Sequence, residues 1–523
     1  MASPWIIDLH TCFGKMPGTA RRVSPEALLQ EMDHHGIAHA LTYSLKGVYY
    51  EATAGNRETL AAVEGRDELV AVGILDPRRH FDIDREARFC MEQGCALFAF
   101  FPHVQIGWSY NSLAFRRCLK EMLPLGIPLM VAVQDWVEVG EVARLTYEYE
   151  ILTILSGIHY SQMAEGIAAM LAFPHLYLET QRLATPDAVK ICVEEVGAER
   201  LLFGSGAPLR PVQSALNAVA LADITESEKF LILGGNCKRL LGAKHFGRGH
   251  GQGRASQAGL GGRLYEGPII DVHAHIGSEP FPIRSRSVSD LLARCRKHGI
   301  TKAIVYSTLA IKYDMEAGNR QLVEAIQDHP GVLGYVVLDP NDIDGSRAEL
   351  DRYESNPQMV GVKINCEYSR KPTGSQEIAQ LVSEVAKRNK PLLIHNDGPD
   401  WPTHLAALAR SHPRLPIIIA HGFFAPYGIR EVCEAIKECS NVYLEFASTA
   451  PDAGAMAEAL SCVGAGRLLL GTDQSLIDPA YVLGTYRDAD LNPEETRLVT
   501  YENARAIFHM DSIPGILKSA RSL

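Results

Sequence analysis

Two histidines, two residues apart, close the short apolar stretch Pro268–Gly277, "PIIDVHAHIG". Side chains alternate along a β-strand, so Asp271, His273 and His275 are expected to share one face of it. Neutral imidazole nitrogens are good ligands for Zn²⁺ and for other divalent first-row metals. A pair of histidines on a half-buried strand also occurs without any metal, so a metal site needs further ligands from elsewhere in the chain.

Four more side chains with chemical potential each end a short apolar, β-rich run further along the chain. They are Lys363, His395, His421 and Asp473. Three of the four imidazoles now named, together with a carboxylate, form a set of N and O donors that suits Zn²⁺ first, and Mn²⁺ or Fe²⁺ after it. Such a set is a site only if the strands that end in these residues meet at one place, which is a question about the fold.

Eight β-rich runs occupy the C-terminal half, and an amphipathic helical stretch follows each of them. The runs begin at Pro268, Lys302, Leu333, Val360, Pro391, Pro416, Val442 and Arg467. Eight βα units in about 240 residues predict an α/β fold of the (β/α)8 TIM-barrel type, whose strands end at one mouth where enzymes keep their chemistry. The alternative is a doubly wound open sheet, which the lack of a GxGxxG motif after the first run disfavours.

The N-terminal half repeats the same pattern. "PWIIDLHTCFG" at Pro4–Gly14 matches the first run of the second half, and "AGNR" occurs at Ala54–Arg57 and again at Ala317–Arg320. The chain is therefore predicted to be a tandem duplication with two TIM-barrel domains. We assign residues 1–243 to the first barrel, residues 244–267 to a flexible glycine-rich linker and residues 268–523 to the second barrel.

Most of the candidate ligands are missing from the first copy. The overlay of the two copies pairs His10 with His273, Cys12 with His275, Phe98 with Lys363, Ala132 with His395, Ser156 with His421 and Gly206 with Asp473. A site built from one imidazole and one thiol alone is too weak to hold Zn²⁺. The first barrel is therefore predicted to be folded and non-catalytic.

Composition and charge exclude several classes of protein. With 523 residues, 46% hydrophobic and 22% charged, the chain has the composition of a soluble globular protein. Its net charge of -11 disfavours nucleic acid and anionic membranes as partners. No apolar run is long enough to span a bilayer, the 11 cysteines form no CxxC pair, and the N-terminus shows no signal peptide. We expect a cytoplasmic protein that acts on a small molecule.

These motifs resemble the amidohydrolase superfamily, and more narrowly its branch related to aminocarboxymuconate semialdehyde decarboxylase, often called amidohydrolase 2. The resemblance rests on "DVHAH", "LLIH", "IIAHG" and "LLLGTD" at the ends of the first, fifth, sixth and eighth runs, and on "YENARAIF" at Tyr501–Phe508. It implies one divalent metal held by a set of four residues, with His421 beside it as the acid/base or electrophilic group. The four implied ligands are His273, His275, His395 and Asp473.

The same resemblance bears on Lys363 and on the loops that follow the strands. In binuclear relatives a lysine on strand 4 is carbamylated and bridges two metals, whereas the mononuclear branch implies a substrate-binding or supporting role for Lys363. Arginine suits carboxylate recognition, so loop residues indicate a small, carboxylate-bearing substrate. The candidate substrate-binding residues in the loops are Arg284, Arg286, Arg370 and Trp401.

Three functions remain open on the sequence. A metal in such a site lowers the pKa of a bound water to about 7, so hydrolysis of an amide, lactone or ester is the leading prediction, with His421 and Asp473 as catalytic proton carriers. Non-oxidative decarboxylation of a small unsaturated or aromatic acid needs the same groups. The third alternative is a non-catalytic binding or scaffold protein. Because members of this branch often form homodimers, the resemblance also implies an internal pseudo-dimer of the two barrels.

Overall fold

The computed structural model describes residues 5–17, 21–79, 81–105, 107–246, 264–284, 287–423, 427–449 and 453–512. The chain forms two compact units, the first mainly from residues 1–262 and the second mainly from residues 263–523. Most of the predicted linker lies outside the described residues, whereas Phe246 near its start is buried in the core of the first unit. None of the helices in the described ranges combines the length and the apolar composition needed to cross a bilayer.

The first unit is built on a nine-stranded sheet in which eight strands run parallel and β2 pairs antiparallel with β1. Its strands are β1 (Ile6–Lys15), β2 (Arg22–Val23), β3 (Ile37–Ser44), β4 (Leu69–Ile74), β5 (Leu97–Phe100), β6 (Leu129–Ala132), β7 (Thr153–Ser156), β8 (Leu176–Glu179) and β9 (Leu201–Leu202). Its helices are α1 (Pro25–His35), α2 (Leu45–Tyr49), α3 (Ala52–Val63), α4 (Ile83–Glu92), α5 (Leu113–Met122), α6 (Trp136–Glu148), α7 (Met163–Ala172), α8 (Ala188–Val196), α9 (Val212–Ala220), α10 (Glu226–Phe230) and α11 (Asn236–Leu241).

The second unit is an eight-stranded parallel sheet whose strands neighbour each other in sequence order. Its strands are β10 (Ile269–Ile276), β11 (Ile300–Ser307), β12 (Val332–Leu338), β13 (Met359–Asn365), β14 (Leu392–His395), β15 (Ile417–Ile419), β16 (Val442–Glu445) and β17 (Leu468–Leu469). Its helices are α12 (Val288–His298), α13 (Thr308–Lys312), α14 (Met315–Ile326), α15 (Ile343–Arg352), α16 (Cys366–Ser369), α17 (Gln376–Lys387), α18 (Trp401–Ser411), α19 (Ile429–Ile436), α20 (Ala455–Val463), α21 (Pro479–Arg487), α22 (Pro493–Arg497) and α23 (Asn503–Ile507).

Both sheets close into barrels because the chain after the last strand bonds to the first. In the first unit the N–H of Leu9 donates to the carbonyl of Phe203 at 2.9 Å. In the second unit the N–H of Val272 donates to the carbonyl of Leu470 at the same distance. With sequential parallel strands joined through helices, each unit is a (β/α)8 barrel, so the predicted fold class is confirmed and the open-sheet alternative is excluded.

Apolar side chains fill the interior of the second barrel below its mouth. They come from all parts of the sheet and include Ile270, Val272, Ile304, Leu333, Tyr335, Val337, Leu393, Ile418 and Leu469. Each has at most 2% of its surface exposed. This packed layer makes the strand ends rigid, and a rigid frame is what holds several polar side chains in fixed positions at one mouth.

The repeated sequence motifs correspond to repeated hydrogen bonds of the scaffold. The Asn503 side chain of the "YENARAIF" segment donates to the carbonyls of Ala465 and Leu468, both at 2.8 Å. Asn236 makes the equivalent bonds in the first barrel, to Ala198 and Leu201. These amides satisfy buried carbonyls where the eighth strand begins, which explains why both copies keep them.

Candidate metal centre

Asp473 stands where the chain leaves the last strand of the second barrel, and its carboxylate contacts both histidines of β10. Its Oδ1 lies 3.3 Å from Nε2 of His273 and 3.2 Å from Nε2 of His275. The Asp473 backbone has a φ of +56°, and its N–H donates to the carbonyl of His273 at 2.6 Å. The backbone bond to β10 thus holds the aspartate over the two imidazoles.

Glu445, the last residue of β16, fixes the orientation of His273. Its Oε1 lies 2.7 Å from Nδ1 of His273, and both side chains are fully buried. Because a carboxylate accepts, Nδ1 carries the proton and Nε2 is left as the lone-pair nitrogen facing Asp473. Glu445 also accepts the backbone N–H groups of His421 at 2.6 Å and Ala447 at 2.7 Å. A carboxylate on the far nitrogen is the usual support of a metal-bound histidine.

His421 and His395 extend the same cluster. The His421 ring lies 4.8 Å from the ring of His273 and 5.1 Å from that of His395, measured between centroids. Nδ1 of His421 bonds to the carbonyl of Ala447, so this nitrogen donates and Nε2 is an acceptor. Nε2 of His395 lies 3.2 Å from Oε2 of Glu367, on the short helix α16. The predicted site residues of strands 1, 5, 6 and 8 therefore meet at one mouth.

Two donor-atom separations at Asp473 match those of ligands on one ion. Ligand atoms about 2.1 Å from a metal, at tetrahedral or octahedral angles, lie about 3.0 to 3.4 Å from each other. The two Nε2–Oδ1 separations, 3.3 Å and 3.2 Å, fall in this range. Two imidazoles and a carboxylate are also the right chemistry for a divalent metal. The residues present therefore fit the metal that the sequence predicts.

A second grouping also brings possible ligand atoms together, since those of His273, His421 and Glu445 lie within 4.8 Å of one another. In this trio, however, the Glu445 carboxylate already accepts from His273 and from two backbone N–H groups. The trio is therefore a hydrogen-bonded support, and the face that can take a metal is the one formed by the Nε2 atoms and Asp473.

Burial sets the protonation states of the cluster. It lowers the pKa of His421 to about 3 and that of His273 well below its usual value, so both imidazoles are neutral at pH 7. Burial alone would raise the pKa of Asp473, but the imidazoles of His273 and His275 outweigh it and lower this pKa. Neutral imidazoles beside an ionised carboxylate are the state in which both types of group can bind a metal.

Lys363 lies in β13 with none of its surface exposed. Its Nζ has no hydrogen-bond partner within the described residues and sits 4.9 Å from the centre of the Tyr306 ring. Burial lowers the pKa of its ammonium group to about 8, although the charges of Glu445 and Asp473 oppose the shift. The Tyr306 hydroxyl is in turn 3.1 Å from Nε2 of His273. A buried cation thus lies next to the predicted metal face.

Asp271 does not face the imidazoles, contrary to the expectation from strand alternation. Its carboxylate accepts from the side chains of Thr472 and Gln474 and from the backbone N–H of His273. The physical reason is a β-bulge, because the pairing of β10 with β11 shifts register between Asp271 and Ala274. Asp271 therefore ties β10 to the loop after the last strand and does not orient an imidazole.

The loop residues predicted to bind substrate differ in exposure. Arg284 and Arg370 are exposed, and Arg370 ends α16 with a left-handed backbone, φ +55°. Arg286 lies outside the described residues. Trp401 begins α18 and is only 1% exposed, with its ring 6.2 Å from that of Tyr427. The substrate-binding role of these four residues stays a prediction.

Three glutamates of the site were missed by sequence reasoning: Glu445, Glu367 and Glu279. Glu445 belongs to "VYLE", which is repeated as "LYLE" in the first copy, and the repetition pointed to a scaffold role. The scaffold role was predicted correctly from the repetition, but the contact of Glu445 with His273 was not predicted. The other two lie in the segments that follow β13 and β10, where spacing gives no indication of direction.

The first barrel keeps the support but not the ligands. His10 stands at the position of His273, with Nε2 2.9 Å from the Tyr43 hydroxyl and Nδ1 3.6 Å from Glu179. Ser156 donates to Glu179 at 2.7 Å and lies 3.3 Å from Nδ1 of His10. Burial raises the pKa of the Cys12 thiol to about 12, so this group stays a neutral thiol and a poor ligand.

The sheet register corrects two pairs of the sequence overlay. Lys363 pairs with Leu393 as Ala99 pairs with Met130, so the counterpart of Lys363 is Ala99 and not Phe98. In the same way the residue opposite His421 is Gly157, one position beyond Ser156. Both have positive φ, +66° for His421 and +85° for Gly157. The overlay was wrong because small changes in loop length move the offset between the copies, which linear sequence matching places only approximately.

Several solved structures are similar to about half of this chain. The 2,6-dihydroxybenzoate decarboxylase from Rhizobium is 16% identical, with a TM-score of 0.39, and the match covers 47% of this chain and 100% of that one. A manganese complex of 5-carboxyvanillate decarboxylase from Novosphingobium aromaticivorans is 16% identical, with a TM-score of 0.37 and coverages of 47% and 99%. A probable 2-pyrone-4,6-dicarboxylic acid hydrolase from Acinetobacter baumannii is 14% identical, with a TM-score of 0.37 and coverages of 45% and 98%.

No protein of curated function matches the sequence. The family model described as amidohydrolase matches it twice, at residues 15–243 and at residues 270–510. The two matches together take in most of the chain and coincide with the two barrels. The chain therefore belongs to the amidohydrolase family, and it carries the family's fold twice in tandem.

Proposed function

We propose that the second barrel is a metal-dependent hydrolase that cleaves a C–N or C–O bond in a small amide, lactone or ester bearing a carboxylate. The observation that carries the proposal is the position of Asp473, whose Oδ1 lies within 3.3 Å of two imidazoles on β10. His395 would be the fourth ligand. Zn²⁺ is our first choice of metal, with Mn²⁺ and Fe²⁺ after it. When bound, the metal would supply an activated water and polarise the substrate carbonyl.

The chain's own residues would move the protons. The pKa of Asp473 is lowered, so its carboxylate is ionised at neutral pH and has oxygen lone pairs that can accept a proton. His421 donates from Nδ1 to the carbonyl of Ala447 and is neutral, which leaves Nε2 able to accept a proton. Of the two roles predicted for His421, this geometry favours the proton acceptor over the electrophile. Leaving-group protonation would follow from the same nitrogen.

The substrate class follows from the buried cation. The ammonium of Lys363 has no hydrogen-bond partner in the described part of the chain, and an unpaired buried cation is costly. A substrate carboxylate next to Tyr306 would relieve that cost. The exposed Arg370 and Arg284 would then attract acidic molecules to the mouth without contributing much binding energy.

A carboxylate held at this cation also favours a second function, a metal-dependent decarboxylase of a small unsaturated or aromatic acid. In that reaction the group bound by Lys363 would be lost as carbon dioxide, and a cluster imidazole would carry the proton that replaces it. Hydrolysis ranks first because Asp473 and Nε2 of His421 are both proton acceptors in their present states.

The first barrel we propose to be non-catalytic. Its positions equivalent to the four ligands hold His10, Cys12, Ala132 and Gly206. A side chain at Gly206 would also collide with Gln181, because an added Cβ would lie 1.6 Å from its Nε2. If neither barrel bound a metal, a non-catalytic binding or scaffold protein would replace the enzyme as the proposed function.

The internal pseudo-dimer of the two barrels stays a prediction.

Elemental analysis of the purified full-length chain, before and after incubation with Zn²⁺ or Mn²⁺, tests the metal. One equivalent per chain is expected, and none would overturn the enzyme proposal. Assays of the metal-loaded protein with lactones, amides and aromatic acids then separate the two reactions. Acid release without gas supports the hydrolase, whereas carbon dioxide release supports the decarboxylase.

A further inference from the structure

Glu279 is a buried carboxylate for which the proposed chemistry has no use. It follows β10 by three residues, and only 4% of its side chain is exposed. Burying an ionised carboxylate is unfavourable unless partners compensate it. Its Oε2 pairs with Nζ of Lys312, the last residue of α13, and its Oε1 lies 3.8 Å from Nδ1 of His275. The carboxylate therefore stands between a lysine and one of the two imidazoles of the metal face.

The two ring nitrogens of His275 differ in whether they have a polar partner. Its Nε2 faces Asp473 at 3.2 Å, whereas its Nδ1 is buried without a hydrogen-bond partner in the described part of the chain. His273 presents Nε2 in the same way, but its Nδ1 is held by Glu445. An imidazole ligates through Nε2 only when the proton sits on Nδ1, and a carboxylate on Nδ1 fixes that tautomer. The acidic group that faces Nδ1 of His275 is Glu279.

The first barrel offers an internal comparison. It keeps a glutamate behind its first histidine, since Glu179 faces His10 as Glu445 faces His273. At the position of His275 it has Cys12, and there Glu279 and Lys312 have also been replaced, by Met16 and Tyr49. The acidic residue and its lysine are thus found only in the copy that has an imidazole for them to support.

We propose that Glu279 is a positioning residue for the metal centre, which accepts the Nδ1–H of His275 and directs Nε2 towards the metal. This role rests on the proposed function, since it requires that a metal binds at the Nε2 atoms and Asp473. At 3.8 Å the contact is longer than a hydrogen bond, so it closes by a small side-chain rotation or through one water when the imidazole ligates.

Lys312 holds Glu279 in place for this task. Its ammonium group pairs with Oε2, which leaves Oε1 directed at the imidazole. The same ammonium lies 5.5 Å from the centre of the Tyr368 ring on α16, within the range of a cation–π contact. The segments that follow the first, second and fourth strands are thereby linked at the mouth, and the ring of Tyr368 shields one side of the ion pair.

The test is the zinc affinity of the full-length protein, measured by competition with a chromophoric chelator. Glu279→Gln is nearly isosteric, and we expect it to weaken zinc binding about 10- to 100-fold, the range found when a partner behind a metal-bound histidine is lost. Lys312→Met should weaken binding by a smaller factor because Glu279 remains. Glu349→Gln is the matched control, since this buried carboxylate bonds Asn319 and not an imidazole, and its affinity should equal that of the wild type.

A double-variant cycle separates positioning from general structure. If Glu279 acts through the imidazole, Glu279→Gln adds no further loss in a His275→Cys background, where a thiolate can still ligate zinc but no Nδ1 is present. An equal loss in both backgrounds, or wild-type affinity in Glu279→Gln itself, would overturn the proposal while leaving the metal centre intact. If the wild type binds no zinc, the proposed function fails and this role fails with it. Circular dichroism of each variant identifies any that does not fold. In that case the zinc affinity of the near-isosteric Glu279→Gln variant decides whether Glu279 is a positioning residue.

Discussion

The two barrels share several supporting hydrogen bonds and differ in the side chains that those bonds support. Asp8 in the first barrel accepts from Ser205, and Asp271 in the second accepts from Thr472, so the same anchor ties strand 1 to the loop after strand 8. Yet the next residue in that loop is Gly206 in one barrel and Asp473 in the other. Fold and chemistry are thus carried by different positions, and the chemistry can be lost without disturbing the fold.

The mouth of the first barrel is also less polar than that of the second. Ala99 stands in place of the buried cation Lys363, and Phe101 packs 5.1 Å from Tyr43 where the second barrel has Asn365. A buried charge without a strong partner destabilises a fold, and Ala99 spares the first barrel this cost at the position of Lys363. The second barrel retains its buried charges, which is expected if they serve a function.

The largest expected difference between the barrels is in metal content. Asp473→Asn should reduce the zinc content of the full-length protein from one equivalent to none, because it removes the carboxylate that both β10 imidazoles face. His395→Ala should have the same effect. In the first barrel His10→Ala and Cys12→Ala should leave the one equivalent unchanged, as measured by elemental analysis. Loss of metal in either of these variants would show that the first barrel contributes a ligand.

The second largest difference is expected for the equivalent glutamates of the two barrels, Glu445 and Glu179. Glu445→Gln should weaken zinc binding about 10- to 100-fold, because His273 loses the group that keeps its proton on Nδ1. Glu179→Gln changes the equivalent carboxylate of the first barrel, which lies 3.6 Å from Nδ1 of His10, and should leave the affinity unchanged. Chelator competition measures both variants, and equal losses would contradict the division of roles between the barrels.

Lys363 predicts a difference in stability that depends on pH. Burial lowers its pKa from 10.5 to about 8. Between pH 8 and pH 10.5 the unfolded chain therefore binds more protons than the folded chain, and the stability of the wild type rises with pH. Lys363→Met should therefore stabilise the metal-free second barrel at pH 7 by on the order of 2 kcal/mol and much less at pH 10. Guanidinium unfolding at both pH values measures this. Ala99→Lys should destabilise the first barrel by a similar amount, and a neutral outcome there would argue against the burial penalty.

The smallest effect is expected at the exposed rim of the second barrel. Arg370→Ala should raise KM for an acidic substrate by no more than about threefold and leave kcat unchanged, because an exposed charge is largely screened by solvent. Steady-state kinetics at low and high salt measures it. A fall in kcat would place Arg370 at the reacting group and would contradict its assignment to the rim.

The fold was largely predictable, and the site only in part. All eight predicted strands of the second barrel overlap strands of the structure, because buried parallel strands are continuous apolar runs in the sequence. The residues at their ends could be named for the same reason. Glu279 and Glu367 could not, since the direction of a side chain in a loop depends on tertiary contacts. The direction of Asp271 was predicted incorrectly because a bulge is not visible as a change in hydrophobic pattern.

The sequence by itself determined that the chain is a duplication, that each copy is a barrel of the amidohydrolase family, and that the second copy alone has a full set of candidate ligands. These properties depend on residue type and periodicity, which are local. Only the tertiary structure decided that Glu445 supports His273, that Ala99 and Gly157 are the counterparts of Lys363 and His421, and that Glu279 faces an unsatisfied nitrogen of His275. Such facts depend on strand register and side-chain direction, which are set by the closure of the sheet and the packing of its interior.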